Sequence, residues 1–118
     1  MLESKKIPAA YTLDAWTAYP WSNGLQVESL TDMAQLCVKT RNSLYEITVI
    51  DGSAREILVR GGQFFPQWTP ARIAGSSLGR GFLKIGGIYA GFNLEIVTTD
   101  QTIITSQVQS IDLVSPNV

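Results

Sequence analysis

Histidine is absent from this chain, and cysteine occurs once, at Cys37. The first absence removes serine–histidine and cysteine–histidine nucleophile systems, histidine acid–base work and nearly every zinc or non-haem iron site. The second excludes an internal disulfide and a structural zinc site, and makes a reducing compartment the simplest home. Charge is also scarce: 16% of residues are Asp, Glu, Lys or Arg, against about 25% in an average soluble domain. No Asn-x-Ser/Thr glycosylation signal follows any asparagine, and no apolar run approaches the ~18 residues of a membrane span. The opening MLESKKIPAAYTL has no apolar run of signal-peptide length. A cytoplasmic, soluble protein is therefore expected, with neither a membrane nor a metal among its partners and no cofactor.

At 118 residues the chain is one domain by size. Its net charge of −1 gives no long-range attraction for nucleic acid. That charge is unevenly spread: residues 1–38 sum to −2, residues 39–84 to +4 and residues 85–118 to −3. Folding is expected to intersperse the basic middle with the acidic ends. Few charges beside three Trp, four Tyr and four Phe leave apolar surface for a partner, which points to a homo-oligomer or to another protein.

Residues 1–24 read as an arm, because Pro8, Pro20, Tyr11, Trp16, Tyr19 and Trp21 follow neither a period of 2 nor one of 3.6. Tryptophan and tyrosine are costly to leave in water, so the arm is expected to lie on its own chain or to be exchanged with a neighbouring copy. Leu30, Met33, Ala34 and Cys37 fall at helical spacing and predict one or two helical turns over residues 28–36, with Cys37 a buried, inert thiol. Alternation then predicts strands over 36–40, 44–51 (Tyr45, Ile47 and Val49 on one face) and 55–60. Asp51-Gly52-Ser53 is a strong hairpin signal between the last two. QFFPQWTPAR, residues 63–72, reads as a rigid loop fixed by Pro66 and Pro70. Strands follow over 92–99 (Phe92, Leu94 and Ile96 inward) and 102–106, and the three-residue spacing of Val108 and Ile111 predicts a 3₁₀ turn before a last short strand.

Six of the ten glycines lie between Arg72 and Asn93, interleaved with Leu78, Phe82, Leu83, Ile85, Ile88 and Tyr89. Glycines spaced through apolar residues mark strands that bend sharply, with Gly86, Gly87 and Gly91 as the bend or bulge positions. The fold class is therefore mainly all-β: a small antiparallel barrel of five or six strands over 25–118, with an N-terminal arm and one short helix. From Cys37 through Ile111 this pattern resembles the SH3-like small barrels. The phrases CVKTRNSLYEITV, VRGGQFFP, AGSSLG and ITSQVQSI are also similar to a small bacterial domain of uncharacterised role. The resemblance rests on turn and glycine positions, so it implies a backbone and carries over no functional residue.

No catalytic, cofactor or metal signature is present. AGSSLGRGFLK, with Arg80 and Lys84, invites an anion nest, but lacks the P-loop spacing. Glu46, Asp51 and Glu95 are the carboxylates available for acid–base work, and each also suits a turn or a strand's solvent face. The candidate interaction residues are Trp16, Trp21, Phe64, Phe65 and Trp68 with Arg41, Arg60, Arg72, Arg80 and Lys84. The favoured reading is a non-enzymatic binding or structural module that self-assembles through protein–protein contacts. Single-stranded nucleic-acid binding on a basic and aromatic barrel face is the alternative.

Overall fold

Tyr45, Ile47 and Val49, alternate residues of one strand, are buried on one side of it, and the same two-residue rule builds most of the molecule. The computed structural model describes residues 13–79 and 81–114. Among them the chain is mainly β, with one short helix, α1 (Leu13–Ala18). Nine strands follow: β1 (Gly24–Gln26), β2 (Gln35–Thr40), β3 (Leu44–Asp51), β4 (Glu56–Gly61), β5 (Phe65–Ser77), β6 (Leu83–Ile85), β7 (Gly87–Tyr89), β8 (Asn93–Val97) and β9 (Thr102–Val114). All pairings are antiparallel. A two-stranded sheet joins β1 to β7, and a seven-stranded sheet runs β4-β3-β2-β9-β8-β5-β6.

The long strand β5 also pairs with β4, and it does so unevenly. Its residues 65–72 lie against β4, whereas residues 72–77 lie against β8. Arg72 is where the exchange happens, in register with Glu56 on one side and Val97 on the other. The main core gathers the inward residues of these strands, including Leu36, Val38, Ile47, Val59, Phe65, Ile73, Leu94 and Ile96.

The strands expected over 36–40, 44–51, 55–60 and 92–99 form within a residue or two of those bounds. The expected hairpin forms too: the Arg55 N–H donates to the Gly52 carbonyl, and the Asp51 carboxylate accepts from the Ser53 hydroxyl at 2.8 Å and the Ala54 N–H at 3.3 Å. These hydrogen bonds hold the Asp51 carboxyl below its ordinary pKa.

Four expectations are corrected. Residues 28–36 form no α-helix: a 3₁₀ turn covers Val27–Ser29, Met33 is exposed at a φ of 72°, and β2 begins at Gln35. The one short helix lies instead in the arm, where Trp16 is its buried residue. Residues 65–72, read as a proline-fixed loop, belong to β5. The Ile73 N–H donates to the Arg55 carbonyl, so strand alternation aims the Ala71 and Thr69 N–H groups toward β4 and the position of Pro70 away from it. On that far side no strand among the described residues pairs with β5 before Arg72, so a missing donor breaks no ladder there. Finally, Val108 and Ile111 lie in one continuous strand. Thr40 pairs with Val108 but Lys39 with Ser110, so Gln109 is an extra residue, a β-bulge that turns a spacing of two into three.

Bends occur where glycine spacing expects them. Gly91 has a φ of 92° and Gly86 one of 73°, whereas Gly87 opens β7 without a positive φ. Gly75 sits at a register shift within β5, where a Cβ would collide with the Lys84 carbonyl of β6.

Candidate interaction surface

Among the described residues, the aromatic side chains of the arm pack against their own chain. Trp16 is buried, and with Tyr89 and Phe92 it forms a second cluster against which Tyr19, Trp21, Leu78 and Phe82 pack. Their rings meet mainly edge to face, Trp16 with Trp21 at 4.8 Å and Trp21 with Tyr89 at 5.1 Å between centroids. The Lys84 ammonium lies 5.3 Å from the Trp21 ring centroid, a cation–π approach that caps the cluster. Within the described residues, the arm therefore packs on its own chain.

The other candidates divide. Phe65 is buried beside Tyr45, 6.4 Å between centroids. Trp68 is exposed and lies beneath the Arg60 guanidinium, 4.7 Å from it, while Arg60 also pairs with Glu46 at 2.7 Å. Phe64 is exposed and lines a hollow of about 370 Å³ with Asn42, Gln63 and Ile104. Arg41 is exposed at the β2–β3 turn, where its backbone N–H donates to the Gln107 carbonyl. Arg80 lies outside the described residues. Lys84 and Trp21 thus belong to the aromatic cluster, Arg60 and Trp68 to the outer face of β4 and β5, and Arg72 to a groove described below.

Cys37, expected to be buried, is half-buried on the outer face of β2. Cross-strand partners point to the same side, so it stands between Glu46 of β3 and Asp112 of β9. Each of the three candidate carboxylates has a structural partner: Glu46 holds Arg60, Asp51 caps its own turn, and Glu95 accepts from the Ser77 hydroxyl at 2.6 Å. The serine-rich loop is similarly engaged. Ser76 donates to the Gly87 carbonyl, and Ser77 also accepts the Gly79 N–H. A carboxylate at that position opposes an anion in the same place.

Sequence reasoning missed the groove where β5 changes partners. It has a volume of about 650 Å³ and is lined mainly by Ile50, Leu58, Pro70, Ala71 and Val97, with Glu56 and Arg72 its charged residues. Only Arg72 of these was a candidate. The rest come from β3, β4, β5 and β8, whose meeting depends on the register of a strand that was read as a loop. A second apolar hollow, about 420 Å³, lies between residues 29–34 and the end of β9, where Met33, Leu113 and Val114 are exposed.

One further network was not legible. The Tyr89 hydroxyl donates to the Gln26 side-chain oxygen at 3.1 Å, and Gln26 donates in turn to Glu28. Glu28 approaches Arg55 at 3.8 Å. Burial, with the Glu28 carboxylate adding to it, pushes the Tyr89 hydroxyl above its ordinary pKa.

Among the described residues no group of three or more acidic or cysteine side chains gathers to hold a metal ion, and no helix is long and apolar enough to cross a membrane. No protein-family model matches the chain, nor does any curated protein or solved structure.

Proposed function

We propose that this chain is a non-enzymatic binding or structural module that acts through protein–protein contacts and self-assembles. The observation that carries the reading is the apolar groove at the β4–β5–β8 junction, with Ile50 40% exposed at its edge. A contiguous apolar concavity is the kind of surface a partner removes from water, and burial yields about 25 cal/mol per Å². The engagement of Glu46, Asp51 and Glu95 in structural contacts supports a non-catalytic role.

The framework proposed for this module is a small SH3-like barrel. In its support, β2, β3, β4, β5, β8 and β9 are linked in a ring of pairings through the return of β5 to β4. Nucleic-acid binding has less support, because Trp16 and Phe65 are buried and Arg60 is engaged by Glu46. Sedimentation velocity of the full chain over a range of concentrations tests the reading. Concentration-dependent growth of the sedimenting species is expected; a monomer at every concentration would overturn it.

A further inference from the structure

We infer that the groove at the β4–β5–β8 junction is the face on which a second copy of this chain docks about a two-fold axis. The inference rests on the self-assembly reading above and assigns it a surface. Glu56 and Arg72 are register partners across β4 and β5, so their side chains emerge on the same side, roughly 5 Å apart at their Cβ atoms. They are the charged members of an otherwise largely apolar lining.

Opposite charges side by side make a self-complementary pattern. A two-fold axis passing between them sets Glu56 of one copy against Arg72 of the other, and Arg72 against Glu56, while apolar flank meets apolar flank. A partner of uniform charge would instead be repelled by one of the two.

The prolines decide how the second copy docks. Along residues 65–71, no strand among the described residues pairs with the side of β5 away from β4, and an open edge of this kind could accept an added strand. Pro70 removes a donor from that side, and Pro66 removes another N–H from the same stretch. Strand addition there is blunted, which favours side-chain contact across the groove over extension of the sheet.

The test uses the full chain in four samples: wild type, Glu56→Arg, Arg72→Glu, and an equimolar mixture of the two variants. In each variant alone, the two-fold arrangement brings like charges together. The mixture restores opposite charges at both contacts. The expected result is a wild-type dimer, a dissociation constant raised about tenfold or more for each variant alone, and recovery of the dimer on mixing. Variants that dimerise like wild type, or a mixture that stays as weak as its components, would overturn the groove assignment and leave self-assembly standing. A wild type that is monomeric throughout would overturn both. Should a charge variant fail to fold, Ile50→Lys at an exposed position serves instead: loss of the dimer supports the assignment, and an unchanged dimer overturns it.

Discussion

Trp16 and Phe92 meet edge to face, with 5.7 Å between ring centroids and an interplanar angle of 88°. Through this contact α1 is held against the residue that precedes β8. Trp16→Ala is expected to cost about 3 kcal/mol or more, the usual loss for a large aromatic removed from a packed site. Because the cluster forms within one chain, the loss measured by urea unfolding should be the same over about a hundredfold range of protein concentration. A loss that vanishes at one end of that range would mean that the arm is held by a neighbour.

Gly91 precedes Phe92 at a φ of 92°, a conformation β-branched residues rarely adopt. Gly91→Val is expected to lower stability by roughly 1–3 kcal/mol. Thermal melting checks this, and an unchanged midpoint would remove the bend from the account of the fold.

Tyr89 is held above its ordinary pKa of 10.0 by burial and by Glu28. The unfolded chain gives up this proton near pH 10, while the folded chain retains it. Stability contributed by the protonated hydroxyl is therefore complete below the ordinary pKa and is lost as pH rises toward the folded value. Urea midpoints should fall above pH 10, and Tyr89→Phe should fall less steeply. Tyr45, also raised by burial, should retain part of the slope in that variant.

Pro70 occupies a strand position whose backbone nitrogen faces away from β4. Pro70→Thr therefore sacrifices no ladder hydrogen bond, and its cost is expected to stay near 1 kcal/mol or below, arising from the freer unfolded chain. Urea unfolding checks this, and a much larger loss would overturn the placement of the Pro70 nitrogen away from β4.

The parts of this fold that could be read from sequence are those where alternation and packing agree. In Tyr45–Ile47–Val49 and Phe92–Leu94–Ile96 each inward residue is apolar and buried, so a period of two was sufficient. The long strand β5 was illegible because proline normally excludes a paired strand, and its tolerance at position 70 depends on which neighbour is missing. The bulge at Gln109 mimicked helical spacing for a similar reason: register against β2 is a long-range property. Of the candidate residues, Trp16 and Trp21 are joined in one cluster and Arg60 and Trp68 in a stacked pair. Composition singled out those residue types but could not assign them to faces. The groove drew its lining from four strands, and of that lining Arg72 was a candidate for its charge while Pro70 pointed to a loop.

The pairing of β2 with β9 has a consequence for how the molecule assembles in time. Gln35 and Val114, separated by most of the described chain, are register partners. Almost the whole intervening chain must be confined before that pairing gives anything back, and loop-closure entropy opposes it until then. Sheets dominated by such distant pairings fold on the millisecond-to-second scale, orders of magnitude slower than helical bundles of similar size. Until the β2–β9 pairing forms, the side of β2 that β9 covers is an uncovered strand edge, which exposes the folding chain to pairing with the wrong strand.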